Sequence, residues 1–171
     1  MRHIFLVGFM GSGKSTIGKE LSALLSMPFL DTDQEIEKEA GISVSEIFEQ
    51  IGEPAFRAME RKILLALVNR EVPAIIATGG GMYTSPENRQ VIEASGTSFY
   101  IKRSFRQLYR TLRNDETRPL AVNKTKKEIY LLFKQRQKIY RKAQFVIGNF
   151  QHPSQTARKI YNCIHILESG D

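Results

Sequence analysis

The chain has a single cysteine, Cys163, in 171 residues, so no internal disulfide can form and a reducing cytosol is the expected compartment. No apolar run approaches the roughly 20 residues of a membrane span. The N-terminal stretch MRHIFLVGFMGSGK opens like a signal sequence, but its apolar run is short. It passes straight into a glycine-rich loop, with no small-residue cleavage site. Internal repeats, low-complexity linkers and an exposed apolar heptad are also lacking. These absences leave a single globular domain spanning 1–171. Its 42% hydrophobic content and mean hydropathy of -0.29 supply enough apolar material for a core.

The net charge of +7 is unevenly distributed. Residues 31–60 hold nine acids against two bases, whereas residues 101–142 hold fourteen bases against three acids. Such an acidic block beside a basic one fits a field around an anionic small ligand as well as it fits a polyanion, so composition leaves both open. Apolar runs of strand length fall near 3–7, 27–30, 73–78, 97–101 and 144–147. Helical patterns lie between them at 14–25, 33–40, 44–70 with a break, 85–94, 104–112, 125–142 and 154–168. Helix starts are marked by a Ser43/Glu46 capping box and by Pro54, Pro86 and Pro153 in first-turn positions. Strands alternating with helices predict a three-layer α/β fold around a parallel sheet. The polar stretch 113–126, RNDETRPLAVNKTK, is long for a connection and reads as a functional or disordered loop.

The loudest motif is GFMGSGKST at 8–16, which matches GxxxxGK[ST] directly after a strand and at the start of a helix. Amides of Gly11, Ser12, Gly13, Lys14, Ser15 and Thr16 would face the β- and γ-phosphates of a nucleoside triphosphate. Lys14 would add charge, and the Ser15 hydroxyl would sit on Mg²⁺. Next, FLDTDQEIE places Asp31 and Asp33 at the carboxyl edge of the sheet, where open α/β sheets bind ligands. Being two apart in extended chain, both carboxylates would face the phosphates, one for a metal-bound water and one for a hydroxyl proton. Capping of the following helix explains an aspartate there equally well.

In GEPAFRAME, Arg57 and Glu60 share a helix face. The pair is either a surface ion pair or a guanidinium fork oriented by Glu60 for a substrate carboxylate, walled by Phe48 and Phe56. The run ATGGGM brings Gly79, Gly80 and Gly81 behind a buried strand, where a bare backbone can approach a ligand. From the basic block, Arg110, Arg118 and Arg136 stand out. Arg118 is placed to swing onto the γ-phosphate from a loop.

Together GFMGSGKSTIGKEL, LDTDQEIE, EIFEQIGEPAFRAME, ATGGGM, RPL and RQKIYRKA resemble the shikimate kinase family in order and spacing, from about residue 4 to 150. The resemblance implies a nucleoside-monophosphate-kinase-like fold with a five-stranded parallel sheet of order 2-3-1-4-5. It also implies transfer of the ATP γ-phosphate to the 3-hydroxyl of shikimate, with Mg²⁺, in aromatic amino-acid biosynthesis by a cytoplasmic monomer. By position, Asp33, Arg57, Gly79–Gly81 and Arg136 would bind shikimate in a region of about 32–60 and beyond. Ser15, and Asp31 through water, would hold Mg²⁺. Arg110 would stack on adenine, and Arg118 would belong to a lid of about 111–126. Asp33, Lys14 and Arg118 would carry catalysis.

The chain departs from the family pattern at Ala121 after Arg-Pro-Leu, at Lys138 in RQKIY, and at Gly148 near the end of the last strand. Rival readings are another small-molecule kinase such as gluconate kinase, a GTPase switch, or a nucleic-acid binder. Arg57 with Glu60 and the triple glycine argue against the first. The second lacks DxxG and has lysine at 126, where NKxD needs aspartate. The third lacks interleaved aromatics beyond Tyr109, Tyr130, Phe133 and Tyr140, which read as helix core positions. Neither nucleic acid nor membrane is expected as a partner.

Overall fold

A computed structural model describes residues 2–113, 124–149 and 152–169. Five strands, β1 (His3–Val7), β2 (Phe29–Asp31), β3 (Ile75–Ala77), β4 (Gly96–Lys102) and β5 (Phe145–Gly148), form one sheet in the order β2-β3-β1-β4-β5. Every pairing is parallel, so the expected topology is present. All five residues of β1 are buried, as a central parallel strand covered on both faces requires. The two-residue period splits them cleanly. Ile4 and Leu6 pack with Ile17 and Leu21 of α1 (Lys14–Leu25) and with Ile160 and Ile164 of α8 (Pro153–Ser169). Phe5 and Val7 pack on the other face. That face is covered by α2 (Thr32–Ala40), α3 (Val44–Gln50), α4 (Glu53–Val68), α5 (Pro86–Ser95), α6 (Phe105–Leu112) and α7 (Lys126–Tyr140).

The helix signals act as read. Ser43 accepts from the Glu46 amide while Glu46 accepts from the Ser43 amide, and prolines occupy the first turns of α4 and α5. Two further capping boxes, Ser104/Gln107 and Thr125/Glu128, start α6 and α7. The 44–70 pattern divides at Ile51–Gly52 into α3 and α4. Strand β3 is shorter than its apolar run because Pro73 has no amide to donate and the Ala74 N–H goes to His3 Nδ1 at 3.1 Å. Most of 113–126, with Arg118 and Ala121, lies outside the described residues. Among the described residues, no helix is long and apolar enough to cross a membrane.

Candidate active site

The phosphate loop occupies the switch point where neighbouring strands run to opposite sides of β1. Gly13 caps α1 with φ at 91°, a left-handed conformation that glycine adopts without strain. No side chain caps α1, so its first-turn amides are left for an anion. The Lys14 ammonium donates to the carbonyls of Gly8 and Phe9 at 2.9 and 3.0 Å, which folds it over the loop. The Ser15 hydroxyl donates to Asp31 Oδ2 at 2.5 Å.

Asp31 performs two tasks at once. Its Oδ1 accepts the Asp33 amide at 3.1 Å as the N-cap of α2, while its Oδ2 holds Ser15. Here the structure differs from the expectation of two carboxylates in one extended strand. Strand β2 stops at Asp31 and Asp33 lies in the first helical turn. Both still line the same cleft, because that turn redirects the chain there.

Arg57 is clamped on both sides. One terminal nitrogen donates to Glu60 at 2.6 Å and the other to Glu53 at 2.7 Å. The Glu53 partner, at i−4, was a second helix-face signal alongside Glu60. The Arg57 guanidinium lies 5.5 Å from the Phe56 ring centre, and Phe48 packs on Phe56 at 4.7 Å. Glu60 is only 1% exposed. Burial pushes its carboxyl above the ordinary value; Arg57 pulls it back, neighbouring Asp33 adds to the rise, and Arg136 offsets part of it. Thus Arg57–Glu60 is a half-buried pair within the cleft and not a surface pair.

The triple glycine is explained by close approach. A methyl group on Gly79 would come within 2.5 Å of Asp33 Oδ1 and 3.0 Å of Glu60 Oε1. One on Gly81 would run into the Arg57 guanidinium at 2.2 Å. Arg136 is buried on the inner face of α7, near Gly80, while Lys134 and Lys138 on the same helix are exposed.

These residues meet in one cleft of about 590 Å³. It is lined by Gly11, Gly13, Lys14, Ser15 and Thr16 of the phosphate loop and helix start, and by Asp33, Phe48, Phe56, Arg57, Gly80, Gly81 and Arg136. Ser12 and Gly79 are buried behind the wall. Arg110 is exposed on α6 and does not line the cleft, and Arg118 lies outside the described residues.

Besides Glu53, four contributors were not singled out from sequence. The Thr32 hydroxyl accepts the Gly79 amide at 2.8 Å. The Tyr140 hydroxyl, which burial keeps protonated, donates to the Gly80 carbonyl. Arg103 donates to the Gly11 carbonyl at 2.9 Å, and Asn149 to the Ser12 carbonyl at 2.7 Å. Each acts on backbone far away in sequence, where no local spacing signals it.

A phosphate-loop site joined to a guanidinium-lined acceptor pocket defines a small-molecule kinase. A shikimate kinase family profile matches residues 10–165. Shikimate kinase from Bartonella quintana is 39% identical over 96% of this chain and 80% of its own length. That from Sulfurihydrogenibium sp. is 40% identical over 94% and 96%. Among solved structures, shikimate kinase from Acinetobacter baumannii in complex with shikimate superposes with a TM-score of 0.91 at 35% identity, covering 96% of this chain and 93% of that one. The chain belongs to the shikimate kinase family and is an ATP-dependent kinase. A gluconokinase from Sinorhizobium meliloti, 13% identical with a TM-score of 0.56, shares the fold alone.

Proposed function

We propose that this chain, as a cytoplasmic monomer, transfers the γ-phosphoryl group of ATP to the 3-hydroxyl of shikimate, giving shikimate 3-phosphate. The observation that carries the reading is the single cleft joining the phosphate loop to Asp33, Arg57 and Arg136. Two guanidinium groups at the acceptor end suit a substrate carboxylate, which arginine binds as a planar fork. Asp33 and the Gly80 backbone suit ring hydroxyls. The acceptor oxygen forms a bond to the γ-phosphorus as the bond to the β-phosphate oxygen breaks and ADP leaves. Asp33 orients the attacking hydroxyl and is placed to take its proton. Lys14 meets the charge on the phosphates, and Arg118 and Arg110 are assigned to the lid and the adenine.

Mg²⁺ fits the donor set. Ser15 and Asp31 present adjoining hard oxygens beside the loop, bonded to each other at 2.5 Å. Among the described residues no three His, Cys, Asp or Glu side chains are grouped so that they could hold a metal ion by themselves, so the protein offers a partial shell of the kind Mg²⁺ shares with phosphates and water. Ser15 would hold it directly and Asp31 through water; when bound, it neutralises charge on the β- and γ-phosphates. A coupled ADP-release assay with Mg²⁺-ATP and shikimate, gluconate or nucleoside monophosphates tests the assignment. Stimulation by shikimate alone is expected. Release no faster with shikimate than with ATP by itself would refute it.

A further inference from the structure

We propose that Asn149 is a positioning residue for the nucleotide: it holds the phosphate loop in its anion-binding shape from behind. Asn149 directly follows β5 and is anchored there, its own amide donating to the Lys102 carbonyl at the end of β4 at 2.9 Å. Its side chain is engaged at both ends. Oδ1 accepts from the Thr156 hydroxyl of α8 at 3.2 Å, and Thr156 is fully buried. The Ser12 carbonyl can only accept, so it is Nδ2 that faces the loop, donating to that carbonyl at 2.7 Å.

The geometric consequence follows from the planar trans peptide. A Ser12 carbonyl held by Asn149 fixes the N–H of Gly13 in the opposite direction, away from Asn149. Gly13 is already in a left-handed conformation, and a Cβ there would stand 3.0 Å from Asn149 Nδ2. Loop, amide and threonine therefore form one packed unit at the C-terminal edge of β4 and β5. Asn149 also lines the cleft, and its contacts with Ser12 and Gly13 put it at the phosphate-loop end. Arg103 does the same one peptide earlier, donating to the Gly11 carbonyl at 2.9 Å and to Thr111 Oγ1 at 3.3 Å. The loop is thus braced from the ends of two strands, and the peptide most directly set by a side chain is the one Asn149 holds.

The inference rests on the loop binding nucleotide phosphates. It is tested by calorimetric binding of ADP and of AMP, which lacks the β-phosphate the loop would hold, to the wild type and to Asn149→Ala and Asn149→Asp. Asn149→Asp keeps the size and the bond from Thr156 but turns an oxygen on the Ser12 carbonyl. Loss of one loop-setting hydrogen bond is expected to weaken ADP about five- to tenfold in Asn149→Ala and more in Asn149→Asp, with AMP changed less than twofold. In steady state the ATP KM should rise while the shikimate KM stays put, and Thr156→Val should show a smaller shift in the same sense. Should Asn149→Ala fail to fold, Asn149→Asp and Thr156→Val carry the test. Equal weakening of ADP and AMP would place Asn149 at the nucleoside instead of the loop, and unchanged ADP binding would show that the loop needs no brace; either overturns the proposal. A wild type with no preference for ADP over AMP would overturn the phosphate-loop reading itself.

Discussion

Replacing Arg57 by methionine separates what the residue does for stability from what it does for substrate. Methionine keeps a flexible apolar stem on Phe56 but removes both ion pairs, at 2.6 Å to Glu60 and 2.7 Å to Glu53. The Glu53 pair is exposed and worth little. Glu60 is 1% exposed, and removing the partner of a buried charge costs about 3–5 kcal/mol. With Arg57 itself about a third exposed, the lower end of that range applies. At 2–4 °C per kcal/mol for a domain of this size, the expected Tm fall is roughly 6–12 °C at neutral pH.

The fall should depend on pH in a definite direction. Burial already raises the Glu60 carboxyl, and losing Arg57 removes the largest influence opposing that rise. A carboxyl raised in the folded state holds its proton more tightly there than in the unfolded chain. The stability tied to it is full at low pH and is lost as pH rises through the folded pKa. The Tm deficit of Arg57→Met should therefore shrink as pH is lowered from about 8 to 5, and Glu60→Gln in the same chain should restore most of it. The shikimate KM should rise about 30- to 100-fold in both variants, since charge-assisted hydrogen bonds contribute about 2–3 kcal/mol. Differential scanning fluorimetry across pH, with steady-state kinetics, reads both. A deficit independent of pH, or a double variant no more stable than the single, would refute the buried-charge argument; an unchanged shikimate KM would remove Arg57 from the pocket.

Three other outcomes follow from the same geometry. Asp33→Asn should lower kcat by about 100-fold or more with the fold intact by circular dichroism, and near-normal turnover would show that neither a base nor an orienting carboxylate is needed. Gly79→Ala puts a methyl 2.5 Å from Asp33 Oδ1, so kcat/KM for shikimate should drop at least about tenfold while ADP affinity holds; equal loss of both would point to general misfolding. At the helix starts, Ser43 and Thr125 hydroxyls and then their backbone amides hold Glu46 and Glu128 below the ordinary 4.5, so the stability they add is present above that value and lost as pH falls through the lowered one. Glu46→Gln with Glu128→Gln, which keeps the caps without the titration, should flatten the acid limb of a Tm-versus-pH profile, and an unaltered limb would count against this.

The sheet order came from a family resemblance, but the elements themselves were legible because their signals are local. Strand β1 reads as an unbroken apolar run since both its faces are covered, and α3 announces itself by the Ser43/Glu46 spacing. The phosphate-loop motif was equally plain, because the strand, the loop and the helix it opens are consecutive in the chain. Arg57–Glu60 was visible as a spacing, yet its burial was not: the fold leaves Glu60 1% exposed and Arg57 about a third exposed, with Gly79 and Gly81 set close against the pair. Asn149, Arg103, Thr32 and Tyr140 were illegible for the same reason. Each bonds to a main-chain group 47 to 137 positions away, and a main-chain partner leaves no residue type to read.

The charge pattern, ambiguous in composition, resolves once the cleft is seen. Among the described residues its walls carry Lys14, Arg57, Arg103 and Arg136. Against these stand Asp31, Asp33, Glu37 and Glu60, four acids for four bases. The cleft is therefore balanced, and the excess positive charge lies elsewhere, as on the solvated face of α7 at Lys127, Lys134 and Lys138. With the charges of its described walls balanced, the cleft gains little local net field for an anionic nucleotide and a carboxylate. Direction then matters more: amides presented by the phosphate loop, a guanidinium fork fixed by Glu53 and Glu60, and Asp33 and Glu60 oxygens packed close against Gly79. In such a site orientation carries much of the affinity, so side chains that brace the backbone, such as Arg103 and Asn149, matter alongside those that face a ligand.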